Sequence, residues 1–168
     1  MLRELHTELG IPDDYGMDGN KPAFLEAADL VDVGPNLVGR MQRLTPETAA
    51  SWQEMQAVAR DDGIILMIVS GFRSIEYQAS LIRKKINAGQ SVREILAVNS
   101  APGFSEHHTG SAVDIASPGS RPLTEEFELS EAFNWLQKNA VRFGFSMSYP
   151  RNNSQGFVYE PWHWAKNS

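Results

Sequence analysis

Residues 105–116 read SEHHTGSAVDIA and hold two of the four histidines in the chain. The small and polar first half is typical of a loop, and residues 111–116 predict a short strand. His107 and Asp114 are seven positions apart, so their side chains could not share one face of a continuous strand. We therefore expect His107 at the end of the loop and Asp114 on the strand. Gly110 would permit the tight backbone path between them.

The segment YEPWHW, further along the chain, would complete a metal site with these residues. Glu160 and His163 are three positions apart, and in a flat strand they would point to opposite faces, so we expect a bend at Pro161. The chain has no cysteine, which restricts a metal site to imidazole and carboxylate ligands. Ligation by His107, Asp114 and His163 would leave a fourth position for water, and Glu160 could take a proton from that water.

A third candidate lies in SGFRSIEYQ, residues 70–78. Arg73 follows the apolar run 64–69, which predicts a buried strand, so its guanidinium is well placed to enter a cleft and hold a carboxylate or an oxyanion. Gln78 falls in the first turns of a helix that Ser74 is expected to cap. Taken one at a time, each of these residues could have an ordinary structural role instead of a functional one. Spacing alone does not decide between the two.

Composition narrows the class of partner. The net charge of −6 over 168 residues argues against nucleic acid, because a phosphate-binding surface needs a basic excess. No stretch approaches the length of a membrane span, and the first sixteen residues lack the apolar core of a signal peptide.

Helix and strand signals do not alternate regularly, which favours an α+β fold over a doubly wound parallel sheet. Thr45 and Pro46 predict the start of a helix that ends near Gly63, and residues 130–143 predict another, which Gly144 would stop. Two closing strands are predicted at 145–149 and 157–164. We expect one domain over 1–168, with a turn-rich N-terminal wrap (1–44) around a core (45–168).

Three ordered segments carry a family resemblance: SGFRSIEYQ, SEHHTGSAVDIA and YEPWHW. They resemble the zinc D-alanyl-D-alanine carboxypeptidases of the vancomycin-resistance (VanY-like) type, within the larger group of lysostaphin-like enzymes, D-Ala-D-Ala peptidases and the sonic hedgehog domain. The signature S-x-H-x-x-G-x-A-x-D is met from Ser105 to Asp114, and E-x-W-H from Glu160 to His163. The resemblance covers more than half of the chain.

The resemblance implies a small antiparallel sheet flanked by helices, with one zinc ion lying across the sheet. It implies that His107, Asp114 and His163 bind Zn²⁺, that Glu160 is the general base and that Arg73 stabilises the tetrahedral intermediate. Gln78 and Ser105 match positions that line the terminal carboxylate of the substrate. His108 takes no part in the signature, and we expect it to be a polar loop residue or a contact at the pocket wall.

The implied reaction is removal of the terminal D-Ala from a peptidoglycan stem peptide. The alternatives are an L,D-carboxypeptidase, an L-Ala-D-Glu endopeptidase, or a hedgehog-like module that binds zinc without catalysis. Many relatives have an arginine where this chain has Ser148, which bears on specificity. We expect the bacterial cell envelope if a leader was removed, or the cytoplasm otherwise, and a monomer by default.

Overall fold

A computed structural model describes residues 1–167 of the chain. Over this range it contains five α-helices: α1 (Leu2–Leu9), α2 (Pro46–Asp61), α3 (Ile75–Asn87), α4 (Val92–Val98) and α5 (Glu131–Asn139). It contains six strands: β1 (Val31–Pro35), β2 (Met41–Leu44), β3 (Met67–Ser70), β4 (Ala112–Ala116), β5 (Phe145–Met147) and β6 (His163–Lys166). Short 3-10 turns cover Glu106–Thr109, Glu125–Leu129 and Ala140–Phe143. No helix in the range is both long and apolar enough to cross a membrane.

The centre of the fold is a four-stranded antiparallel sheet in the order β3-β4-β6-β5, and β1 pairs with β2 in a separate hairpin. All five residues of β4 are buried, as a central strand requires. The register places Asp114 on β4 directly opposite His163 on β6 and beside Ser70 on β3. The predicted α+β class, with a small antiparallel sheet flanked by helices, is confirmed.

Two apolar clusters hold the helices in place. In the larger one, Trp52 of α2 and Leu136 of α5 pack with Ile115 of the sheet. In the smaller one, Leu9 of α1 packs with Ile82 of α3, and Ile95 of α4 belongs to the same cluster. The turn-rich segment 1–44 contains more regular structure than its sequence predicts, because α1 and both strands of the β1–β2 hairpin lie within it.

The predicted helix starts are correct. Thr45, Ser74 and Ser130 each accept a hydrogen bond from a backbone N–H in the first helical turn. The helix predicted over 130–143 divides into α5 and the 3-10 turn that follows, and Gly144 ends it in the left-handed conformation, with φ of 83°.

Of the strand predicted over 157–164, only His163 and Trp164 lie in a strand, and β6 continues to Lys166. Three features keep the preceding residues out of the sheet. The side chain of Asn153 both donates to and accepts from the backbone of Phe157. Glu160 N–H donates to Tyr149, and the chain turns at Pro161 before His163. The strands predicted over 64–69 and 145–149 are also displaced or shorter, at Met67–Ser70 and Phe145–Met147.

Gly110 makes the reversal that joins the 3-10 turn to β4. Its φ is +66°, and its carbonyl accepts a hydrogen bond from Thr45 N–H. A Cβ atom here would lie 2.9 Å from Leu30 Cδ2 and 3.2 Å from Thr45 N. The left-handed conformation and the close packing therefore both demand glycine at this position.

We predict that Gly110→Ala destabilises the protein more than Gly119→Ala does. Gly119 also has positive φ, at +87°, but open space surrounds it, so alanine there should cost about 1–2 kcal/mol of left-handed strain alone. At position 110, crowding should add about 1–3 kcal/mol. Urea unfolding of the two variants measures the difference. Equal losses would show that packing around Gly110 contributes nothing.

Candidate metal centre and active site

The side chains of His107, Asp114 and His163 converge on one buried point. Each offers one ligand atom, and these atoms lie within 4.8 Å of one another. Asp114 Oδ1 lies 3.2 Å from His107 Nε2 and 3.0 Å from His163 Nδ1. The 3-10 turn supplies His107, and the β4–β6 register supplies the other two. The structure thus brings together the three residues that the motifs singled out.

The hydrogen bonds of His107 leave one ring nitrogen free for a cation. Its Nδ1 lies 2.7 Å from the Gly71 carbonyl oxygen, and a carbonyl only accepts, so Nδ1 carries the proton. The buried Nε2 then presents a lone pair, and no hydrogen bond satisfies it. This lone pair faces the carboxylate of Asp114 at 3.2 Å. Two electron-rich atoms at this distance are compatible with burial when a cation binds both, so the donor set fits a metal ion.

His163 is held from its other side by a residue that the sequence analysis missed. Glu106 Oε2 lies 2.9 Å from His163 Nε2, and Ser148 Oγ donates to the same oxygen at 2.7 Å. A carboxylate on the outer nitrogen fixes the ring orientation and directs Nδ1 at the site. No local signal marks Glu106 in the sequence, because its partners lie 42 and 57 positions away.

The pKa values of the three residues indicate which of them carries a proton when no metal ion is bound. Burial and the charge of Arg73 lower the pKa of His107 to about 4. Burial opposes ionisation of Asp114, but the hydrogen bond from His163 and the positive charge of that ring outweigh it and hold the pKa of the Asp114 carboxyl well below its usual range. Burial would also lower the pKa of His163, but hydrogen bonds to Asp114 and Glu106 raise it to about 10. Without metal, a proton on His163 is therefore the positive charge of the cluster.

Glu160 and Arg73 approach the cluster from two loops. Glu160 Oε2 lies 3.7 Å from His163 Nδ1, and burial raises the pKa of Glu160 to about 7, a value suited to proton transfer near neutral pH. Arg73 follows β3, and its backbone N–H donates to the His107 carbonyl at 3.1 Å. Its Nε is buried without a hydrogen-bond partner, so part of the guanidinium remains available to a ligand.

These side chains line a cleft of about 290 Å³, here called the catalytic cleft. Ser105 also lines it, and the Ser105 hydroxyl accepts a hydrogen bond from His107 N–H. Gln78 is buried behind the wall, where its amide donates to the Ser100 carbonyl at 2.8 Å. Lys85 is a further cation on the wall that the sequence analysis missed, and burial, followed by the charge of Arg73, lowers its pKa. It lies in the last turns of α3, where a lysine is typical of a solvated helix end.

His108 takes no part in the cluster, as expected, but it does not contact the wall of the cleft. His108 is fully buried, and its two ring nitrogens bridge two backbone segments. Nδ1 donates to the Arg73 carbonyl at 2.6 Å, and Nε2 accepts from Gly103 N–H at 3.0 Å. Both nitrogens are therefore engaged away from the cluster, and His108 supports the backbone that carries Arg73.

We predict that the two adjacent histidines separate metal binding from stability. His107→Ala should lose bound metal because it removes a ligand. His108→Ala should keep the metal but lower the free energy of unfolding by about 1–3 kcal/mol, since it leaves two buried backbone groups unpaired. Metal content after dialysis and urea unfolding of the metal-free proteins measure the two effects. Loss of metal from folded His108→Ala protein, with retention in His107→Ala, would reverse the assignment.

Comparison with known proteins agrees with this geometry. The family model described as VanY, D-alanyl-D-alanine carboxypeptidase, matches residues 41–165. YodJ of Bacillus subtilis (strain 168) is 34% identical over 161 residues, which cover 89% of this chain and 55% of YodJ. The chain spans about half the length of the first curated relatives it matches.

Two solved structures share the fold. The LdcB LD-carboxypeptidase is 32% identical with a TM-score of 0.75, over 86% of this chain and 71% of that one. A variant of the vancomycin resistance D,D-pentapeptidase VanY, from a VanB-type resistance cassette and in complex with Zn(II), is 27% identical with a TM-score of 0.65. That match covers 83% of this chain and 79% of the other. Together with the family match over most of its length, these similarities show that the chain belongs to the VanY D-alanyl-D-alanine carboxypeptidase family.

Proposed function

We propose that this chain is a zinc-dependent D,D-carboxypeptidase that hydrolyses the terminal D-Ala from peptidoglycan stem peptides. The observation that carries the proposal is the buried donor set of His107, Asp114 and His163, in which an imidazole lone pair faces a carboxylate. Two histidines and one carboxylate are a donor set of catalytic zinc sites. A related VanY structure, 27% identical, is a complex with Zn(II).

The proposed roles follow from the positions of the side chains. Bound zinc would supply Lewis acidity, which polarises a peptide carbonyl and lowers the pKa of water. Glu160 stands beside the donor set as the base that takes a proton from the attacking water and returns it to the departing amine. The oxygen of that water bonds to the carbonyl carbon as the C=O π bond opens to a tetrahedral oxyanion, and the C–N bond breaks when the carbonyl forms again. Arg73 directs its guanidinium at the charge that develops on the carbonyl oxygen.

The charges of the catalytic cleft favour a substrate with a free C-terminus. Lys85 and Arg73 both line the cleft, and neither forms an ion pair with a carboxylate within residues 1–167. The lowered pKa of Lys85 shows that its ammonium is held at a cost in a partly buried place. An anionic carboxylate beside it would offset that cost. A carboxypeptidase substrate offers such a group one residue beyond the cleaved bond, whereas an internal peptide bond does not.

An L,D-carboxypeptidase is the second candidate. The observation in its favour is the similarity to LdcB, which is 32% identical with a TM-score of 0.75. Both activities use the same donor set and the same free carboxylate, so the two differ in the configuration of the residue on the acyl side of the cleaved bond.

We predict that the zinc-loaded protein releases D-Ala from a pentapeptide stem and leaves the tetrapeptide and tripeptide stems intact. Mass spectrometry of the products from the three defined stems measures this. Glu160→Ala should keep its zinc and lose hydrolysis, because Glu160 is the base and lies outside the donor set. Release from the tetrapeptide alone would establish the L,D activity instead. Full hydrolysis by Glu160→Ala would overturn the mechanism.

We predict that Glu106→Ala weakens zinc binding about 10- to 100-fold, because His163 loses the carboxylate that orients its ring. Competition with a chromophoric chelator measures the affinity independently of activity. The matched control is Glu126→Ala, which removes an exposed acidic residue that lines a different cavity. Equal affinities for the two variants would show that Glu106 has no role at the metal centre.

A further inference from the structure

A second cavity, here called the basic groove, opens beside the catalytic cleft. It has a volume of about 450 Å³ and lies between the β1–β2 hairpin and the start of α3. Three arginines line it: Arg40, Arg43 and Arg73. Arg73 and Leu123 belong to the walls of both cavities, so the groove adjoins the cleft at these two residues.

The charge of the basic groove is not neutralised by the protein. No aspartate or glutamate is among its lining residues. Neither Arg40 nor Arg43 forms an ion pair with any carboxylate in the described range 1–167. Asp32 is the Cα partner of Arg43 across the hairpin, but no ion pair joins their side chains. The chain has a net charge of −6, so a cavity with three arginines and no acidic residue is a positively charged region on an acidic protein.

Aromatic contacts hold the two outer arginines in place. Arg40 Nη1 donates to the Tyr77 hydroxyl at 2.7 Å, and the guanidinium lies 5.2 Å from the centre of that ring. The Arg43 guanidinium lies 5.5 Å from the centre of the Phe72 ring. An arginine held on an aromatic face loses less conformational freedom when it binds an anion, and most of its five N–H donors remain free.

The hairpin that carries these arginines is tied to the loop that carries Arg73. Gln42 is buried, and its side-chain oxygen accepts from Gly71 N–H at 2.9 Å. The Arg43 carbonyl accepts from Phe72 N–H at 2.8 Å. These two hydrogen bonds therefore fix the hairpin with Arg40 and Arg43 against the loop that carries Arg73.

We propose that the basic groove binds a carboxylate of the substrate peptide on the acyl side of the cleaved bond. This rests on the proposed function. The part of the cleft near Lys85 and Ser105 would hold the terminal carboxylate, and the groove shares no residue with that part. A peptide that runs across the metal centre past Arg73 then enters the groove with its upstream residues. The ligand is an acidic peptide segment with a free carboxylate, and an amide at the same place lacks the charge that the guanidinium fork recognises.

Two synthetic peptides test the proposal. Both are acetylated and end in D-Ala-D-Ala, and an upstream glutamyl residue bears either its free carboxylate or a carboxamide. For the double variant Arg40→Gln/Arg43→Gln, we expect KM for the carboxylate peptide to rise about tenfold or more, while kcat changes little. The amide peptide should show equal KM with the variant and the unsubstituted protein. Arg142→Gln is the matched control, because Arg142 is an exposed arginine on a ring face that lines neither cavity.

Binding to the inactive Glu160→Ala protein separates this proposal from the proposed function. Calorimetric titration with the two peptides, with and without the Arg40→Gln/Arg43→Gln change, reports recognition without hydrolysis. A carboxylate preference that the double change removes supports the groove even if no D-Ala is released by the active protein. Equal binding of the two peptides to the Glu160→Ala protein overturns the proposal. An equal loss of affinity for both peptides on the double change also overturns it.

Discussion

The constraint on which this structure depends is the contact between His107 Nε2 and the carboxylate of Asp114, 3.2 Å apart in a buried place. No hydrogen bond joins them, because the proton of His107 is on the opposite nitrogen and donates to Gly71. The surrounding fold maintains this arrangement through the turn at Gly110 and the β4–β6 register. A buried pair of acceptors lowers stability unless a cation binds there. The stability of the rest of the fold therefore keeps these two acceptors close together.

The carboxylates around His163 determine how a metal ion and a proton would compete for its ring nitrogen. Between Asp114 and Glu106, His163 carries a proton whose pKa is raised to about 10. A divalent ion held by His107, Asp114 and His163 would have to replace the proton on Nδ1 of His163, whereas the Nε2–H would stay hydrogen-bonded to Glu106. In the metal-free protein, burial raises the pKa of Glu160 to about 7, and its Oε2 lies 3.7 Å from His163 Nδ1. The same buried geometry therefore favours metal binding and places a proton acceptor next to it.

Sequence reasoning recovered the parts of this arrangement that depend on short-range signals. Thr45 and Ser74 cap helices as predicted, because capping is decided within three or four residues. The segments that hold Arg73, His107 and His163 were also found from local spacing and motif. These segments meet in one place only because β4 pairs with both β3 and β6, and no local pattern specifies that pairing.

The features that sequence reasoning missed all depend on distant partners. His108 is next to a motif residue, yet its role is set by Arg73 and Gly103, which only the folded chain brings to it. Lys85 belongs to the cleft through the placement of α3. Residues 157–162 have the apolar and aromatic content of a strand, but side-chain bonds from Asn153 and the turn at Pro161 override that propensity.

The most direct measurement is anomalous diffraction at the zinc absorption edge from crystals of the zinc-loaded protein. We expect one strong peak about 2.0–2.2 Å from His107 Nε2, His163 Nδ1 and an oxygen of Asp114. Glu160 would lie near this peak outside bonding distance, and Glu106 would remain hydrogen-bonded to His163 Nε2. A peak bound by His108, a peak elsewhere on the protein, or no peak at the cluster would show that these three residues are not the zinc ligands.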